Sequence, residues 1–304
     1  MDEPWAYCNG QYLPLSALAV SPTDAGFVVG ATLAEQLRTF AGRIFRLEDH
    51  LRRLRQALDV VGIRLPVTWD ELTGAACELV ERNHRLLAPG DDLGLCIFVT
   101  PGSYAPFVQA DHSAATVAMH TYPLPFRLWA DKYEVGQRLV TTDIRQVPAN
   151  CWPPSLKCRS RMHYYLADRR AAELETGARA LLLDQAGCVC EASTANIVIW
   201  RRDEGLLTPP VSQVLPGISL AVAHQLAEGE DLPFTQRRLT ADEVAEADEV
   251  ILTSTPFCLL PVTWFNRRPV ADGRPGPVFQ RLLQAWNKLV DVDIAAQARR
   301  FAGR

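Results

Sequence analysis

The chain of 304 residues contains three lysines, at 132, 157 and 288, against 28 arginines. Cationic surface is therefore built from Arg, and each lysine needs a separate reason. A primary amine on a four-carbon stem loses its proton when desolvated. It can then attack a carbonyl carbon to form a Schiff base, which a guanidinium does not do. Lys157 stands out by context. It follows the proline-rich stretch Val147-Pro148-Ala149-Asn150-Cys151-Trp152-Pro153-Pro154-Ser155-Leu156, whose stiff backbone would hold it at the mouth of a helical segment, Arg161–Glu175. On local context alone a surface lysine in a loop is the plainer reading, so the rest of the chain has to decide.

Other reactive side chains offer less. The eight cysteines are scattered, and Cys77, Cys96 and Cys258 sit in apolar runs, which reads as reduced core thiols in a reducing compartment. Cys188-Val189-Cys190 has the wrong spacing for a zinc knuckle and lacks a second pair. The six histidines form no paired motif, so no metal site is expected. Cys158, beside Lys157, reads as a small filler residue before it reads as a reactive thiol.

Hydrophobic residues make up 48% and charged residues 22%, as in a soluble globular protein with ample core. A net charge of −4 and the lack of a basic cluster interleaved with aromatics argue against nucleic-acid binding. Apolar runs fall far short of the ~20 residues of a membrane span. The start, Met1-Asp2-Glu3-Pro4, is acidic where a signal peptide is basic, so a cytoplasmic location is the default.

Local signals place the elements. Trp5–Cys8 and Tyr12–Leu15 flank the hairpin turn Asn9-Gly10, and a second hairpin turns at Ala41-Gly42. A helix starts at Leu47-Glu48-Asp49, with an apolar face of Leu51, Leu54, Leu58 and Val61. Another spans Thr68 to Leu86, with Asp70 and Glu71 near its start favouring the helix dipole. Strands are expected at 93–100, 115–120, 139–142, 180–183, 189–191, 196–200 and 250–253, and helices at 161–176, 219–227 and 277–290. Tyr122-Pro123-Leu124-Pro125 marks a linker. The fold class is α/β (α+β), with an N-terminal domain over 1–121, a linker over 122–135 and a C-terminal domain over 136–304.

Six ordered segments carry a resemblance. They are Asp24-Ala25-Gly26-Phe27-Val28-Val29-Gly30, leading to Glu35 and Arg38; Phe45-Arg46-Leu47-Glu48-Asp49-His50-Leu51-Arg52-Arg53-Leu54; and the Lys157 segment. Then come Ala180-Leu181-Leu182-Leu183-Asp184 through Glu191 to Asn196; Leu215-Pro216-Gly217-Ile218-Ser219; and Ala247–Thr255 followed by Leu260-Pro261-Val262. Over nearly its whole length the chain resembles the fold-type IV pyridoxal-phosphate enzymes. This is the class IV aminotransferase group of branched-chain aminotransferases, D-amino acid aminotransferases and aminodeoxychorismate lyases. The resemblance implies pyridoxal 5′-phosphate as cofactor, held by Lys157 as a Schiff base, with Glu191 at the pyridine nitrogen. It implies that Arg53, Ile218, Ser219 and Thr255 bind the phosphate, with Ser254 beside Thr255 among the cofactor-binding residues, and that the protein is a homodimer.

The substrate half departs from the group's pattern. Ala34 stands where a pocket-lining aromatic is usual. Ser103-Tyr104-Ala105-Pro106-Phe107-Val108 replaces the Arg and His that trap a carboxylate in D-amino acid aminotransferases. Pro256 follows Thr255 and removes a backbone donor. Met162 stands where the branched-chain subgroup has Tyr. Arg38, Arg159 and Arg161 are the candidate carboxylate clamps; each also reads as a surface residue or an ion-pair partner. The resemblance implies transfer of an amino group between an amino acid, branched-chain or similar, and a 2-keto acid. The alternatives are a lyase making 4-aminobenzoate and pyruvate from aminodeoxychorismate, signalled by the Lys157–Arg161 spacing, and a degenerate pyridoxal-phosphate-binding protein.

Overall fold

A computed structural model describes residues 3–107 and 114–303 of the chain. Met1, Asp2 and Val108, all read above, lie outside them. The described chain divides into two units. The first holds residues up to Leu124 together with Leu156–Ser160; the second holds Pro125–Ser155 and Arg161 onward. The break after Leu124 falls inside the 122–135 span. Residues 156–160 belong with the first unit although they follow the start of the second in sequence.

The first unit is a six-stranded antiparallel sheet with two long helices. Strands β1 (Trp5–Cys8) and β2 (Gln11–Pro14) are joined by Asn9-Gly10, both at positive φ, with Cys8 facing Gln11 across the turn. The short helix α1 (Ala25–Val28) precedes β3 (Leu33–Phe40). Ala41 and Gly42, again at positive φ, turn the chain into β4 (Arg43–Ile44). Helix α2 (Leu47–Val61) carries Glu48 and Asp49 in its first turn and stops at Gly62, whose left-handed backbone accommodates a helix end that side chains resist. Helix α3 (Trp69–His84) opens on a complete capping box between Thr68 and Glu71. Strands β5 (Leu93–Thr100) and β6 (Thr116–Pro123) complete the order β2-β1-β6-β5-β3-β4.

Alternation in the strands decides which face the helices cover. Leu33, Leu37, Leu95, Ile97, Val99, Val117 and Met119 join Leu51, Leu54, Leu58, Leu72 and Leu79 in one core. Each such side chain contributes about 1.5–3 kcal/mol by leaving water. Val61 does not join them, because it is the last helical residue and lies beyond the reach of the sheet, 41% exposed. Cys77 likewise lies on the outer face of α3, whereas Cys96 and Cys258 are buried.

The second unit is a mixed nine-stranded sheet. After α4 (Lys132–Val135) come β7 (Gln137–Arg145), α5 (Met162–Leu174), β8 (Ala178–Leu183), β9 (Val189–Ala192), β10 (Asn196–Arg201) and β11 (Gly205–Thr208). Next are α6 (Ile218–Gly229), β12 (Phe234–Gln236), α7 (Ala241–Ala245), β13 (Glu249–Ser254), β14 (Cys258–Phe265), β15 (Arg268–Pro269), α8 (Pro277–Val290) and α9 (Ile294–Arg300). The strand order is β12-β11-β10-β13-β14-β7-β8-β9, with β15 paired to β14. Strands β7 and β8 run parallel, and α5 packs on them through Ala167 and Ala171 against Val140, Ala180 and Leu182. Among the described residues no helix is long and apolar enough to cross a membrane.

Candidate active site

In the first unit Lys157 is anchored by main chain. Its carbonyl accepts the Ala34 amide at 2.9 Å, Cys158 forms a bridge with Leu33, and the Arg159 amide donates to the Thr32 carbonyl at 2.8 Å. Ser160 Oγ closes the segment on the Gly30 carbonyl at 2.7 Å. Lys157 is thus held by β-type pairing to the start of β3.

Beside this segment lies a buried charge cluster. Arg53, on α2, donates from Nε to Glu35 Oε1 at 2.8 Å and from Nη2 to Glu35 Oε2 at 2.6 Å. His50 Nδ1 lies 2.7 Å from the same Glu35 Oε2. Burial would raise the Glu35 pKa, but Arg53 and His50 more than offset it and hold the carboxyl at about 2. Burial lowers the pKa of His50, with the positive charges of Arg53 and Lys157 adding to it against the pull of Glu35. Glu35 is therefore an anion and His50 neutral.

Two of the three substrate-binding candidates, Arg38 and Arg159, lie in the first unit. Arg159 Nη2 contacts the Cys96 thiol at 3.0 Å, and no salt bridge engages Arg159 among the described residues. Tyr122 OH donates to Gln36 Oε1 at 2.6 Å in the next row. Arg38 is fully buried, with its guanidinium 4.0 Å from the Phe40 ring centroid and Nε directed at the Thr39 carbonyl.

In the second unit the centre is Glu191, at the end of β9 and 4% exposed. Its Oε1 accepts Tyr164 OH at 2.6 Å and Gln146 Nε2 at 2.7 Å, and its Oε2 is 3.4 Å from Asn196 Nδ2. The Leu215 amide also donates to this carboxylate. Burial nonetheless raises the Glu191 pKa, opposed by these donors and, further off, by the charge of Arg161 at the start of α5. No ion pair engages Glu191 among the described residues. A buried carboxylate ringed by neutral donors fits a bound group that brings its own positive charge, as a protonated pyridine nitrogen does.

Helix α6 begins nearby in sequence and is tied to Glu191 by one side chain. Asn196 Nδ2 donates to the Leu215 carbonyl at 2.9 Å as well as facing Glu191. The N-cap of α6 is Gly217, and among the described residues no side-chain cap bond is made there; Ile218 and buried Ser219 open the helix. Uncapped amides at the positive end of a twelve-residue helix suit a phosphate. A Cβ at 217 would collide with Asn196 Oδ1. Gly217→Ala should therefore weaken cofactor binding about tenfold, equivalent to roughly 1.4 kcal/mol, in an equilibrium titration of the apoprotein. Ser254, ending β13, donates to the Thr194 carbonyl at 2.9 Å, and Thr255 and Pro256 form the turn into β14.

Sequence reasoning did not single out Gln146 or Tyr164, and it gave Asn196 no role beyond its place in the motif. The available signal was proximity in sequence, since Tyr164 lies three residues after Arg161, the residue that precedes α5. Met162, at the position of the branched-chain tyrosine, is 68% exposed.

The family Amino-transferase class IV matches residues 32–265. D-alanine aminotransferase from Bacillus licheniformis is 27% identical over 278 residues, covering 91% of this chain and 94% of that protein. The branched-chain amino acid aminotransferase of Escherichia coli superposes with a TM-score of 0.87 at 22% identity, covering 95% of both chains. The T.th. branched-chain amino acid aminotransferase, solved with N-(5′-phosphopyridoxyl)-L-glutamate, gives 0.82 at 24% identity, covering 100% of this chain and 98% of that one. The chain belongs to the class IV aminotransferases. Pyridoxal phosphate is the cofactor of this family, and the fold is its fold-type IV.

Proposed function

We propose that this protein transfers an amino group between an amino acid, branched-chain or similar, and a 2-keto acid, using pyridoxal phosphate. The observation that carries the reading is the coupling, within the second unit, of buried Glu191 to the uncapped start of α6 through Asn196. Pyridoxal phosphate supplies an electron-accepting ring that stabilises negative charge at the substrate Cα. Lys157 supplies the amine that holds the cofactor and, once released, the base that moves the Cα proton. Glu191 holds the proton at the ring nitrogen. Arg53, the amides of Ile218 and Ser219, and the hydroxyls of Ser219, Ser254 and Thr255 bind the phosphate.

Arg159 and Arg161 are the carboxylate-binding residues of this reading. The burial of Arg38 against Phe40 suits a structural part in the sheet. Arg159→Leu should raise KM for the amino donor roughly 10–100-fold with little change in kcat, as loss of a charged hydrogen bond in the ground and transition states requires. An unchanged KM would remove Arg159 from the site. A homodimer and a cytoplasmic location belong to the same reading.

The deciding experiment follows the cofactor absorbance while amino donors are added, then requires a 2-keto acid to restore it. Restoration by a keto acid is the expected result. Release of 4-aminobenzoate and pyruvate from aminodeoxychorismate without any keto acid would make the protein a lyase. An absorbance that no donor changes would leave a binding protein.

A further inference from the structure

Four donors meet Glu191, and one of them is a phenol. Tyr164 enters in the first turn of α5, and its ring packs against the buried cluster that α5 forms with β7 and β8. Its OH reaches Glu191 Oε1 at 2.6 Å, the shortest of the side-chain donors to that carboxylate. Gln146, just beyond β7, reaches the same oxygen, and its own amide is pinned to the Leu183 carbonyl at 2.9 Å. Oε1 is thereby occupied from two elements, while the side-chain contact to Oε2 is the long one from Asn196. Two donors on one oxygen fix the orientation of the carboxylate.

We propose that Tyr164 is a positioning residue that acts through Glu191, fixing its rotamer and keeping it ionised so that the cofactor ring nitrogen stays protonated. This rests on the aminotransferase reading above. A phenol donates to a carboxylate and not to the acid's hydroxyl in the same geometry, so the bond favours the anion. The titratable and charged groups facing Glu191 are Tyr164 and Arg161 from α5 and Cys190 from its own strand. Burial and the nearby acids push the Cys190 thiol up to about 12, and burial with the Glu191 charge raises the Tyr164 phenol, so both stay neutral. Among these groups only Arg161 and Tyr164 favour the Glu191 anion, and Tyr164 alone does so by direct contact.

Tyr164→Phe keeps the ring packing and removes one hydroxyl. The apoprotein of this variant should bind pyridoxal phosphate about tenfold more weakly at neutral pH. The acid limb of its binding should move up by about one pH unit, because Glu191 then protonates more easily. In a Glu191→Gln background the same substitution should change binding less than about twofold, since no charge remains to act through. Carbon NMR of labelled glutamate in the apoprotein should show Glu191 titrating at higher pH in Tyr164→Phe. An unshifted Glu191 resonance, or a loss of affinity that persists in the Glu191→Gln background, overturns the proposal. Should the wild type bind no pyridoxal phosphate, the aminotransferase reading fails by itself, and the Glu191 titration still decides the part of Tyr164.

Discussion

Lys157→Ala abolishes transamination, lowering kcat/KM by at least the roughly 10²–10⁴-fold that one positioned proton-transfer group supplies. The loss should be larger than that of any other single lysine change, because the same amine also anchors the cofactor to the chain. Borohydride treatment of the wild type with pyridoxal phosphate should fix the cofactor on the peptide that contains Lys157, and mass spectrometry should find none in the variant. The other lysines are internal controls. Lys132 makes a surface ion pair with Asp131, and Lys288 lies on the exposed face of α8. Alanine at either should leave both activity and labelling unchanged. Labelling that survives in Lys157→Ala would remove the central residue of the proposed function. The fold of the first unit should persist in the variant, since the pairing to Ala34, Leu33 and Thr32 uses only main chain.

The second large effect is on stability. Glu35 is 1% exposed and answers the Arg53 guanidinium with both oxygens. In the apoprotein Glu35→Gln leaves that cation buried without a counter-charge, which costs about 3–5 kcal/mol. It should appear as a fall in the urea midpoint at neutral pH. The pH dependence gives an independent check. The Glu35 carboxyl is held at about 2, below its ordinary 4.5, so the folded state binds the proton less readily than the unfolded chain. The stability from this group is therefore fully present above pH 4.5 and is lost as pH falls toward 2, by about 3 kcal/mol in all. His50 acts in the same direction at higher pH. Burial lowers its pKa, so its contribution is present above 6.5 and fades as pH falls below it. In Glu35→Gln the loss between pH 4.5 and 2 should flatten. A variant that kept the wild-type slope would show that other carboxylates carry it.

Much of this molecule is encoded within a few residues of where it acts. Asn9-Gly10 and Ala41-Gly42 turn the chain because their positive-φ backbone matches a hairpin. Thr68 and Glu71 start α3 by satisfying each other's amides, and Gly62 ends α2 by a conformation few other residues adopt. The faces of α2 and β3 follow from periods of 3.6 and 2. The types and order of Lys157, Glu191 and the Gly217-Ile218-Ser219 helix start are likewise properties of the sequence. They were enough to identify the family pattern and to name a cofactor for it.

What surrounds those residues was decided by tertiary structure. Gln146 and Glu191 are 45 residues apart, and Tyr164 and Glu191 are 27 apart. They meet because β7 and β8 pair in parallel with α5 packed across them. Glu35 meets Arg53 because alternation along β3 points Glu35 toward α2, a contact that neither segment shows alone. The return of 156–160 to the first unit and the strand pairing of β14 have the same origin. Hydrogen bonds and periodicity act between near neighbours and leave their mark in local sequence. Pairings across dozens of residues depend on which strands lie side by side, and that depends on burying the apolar faces of every element at once.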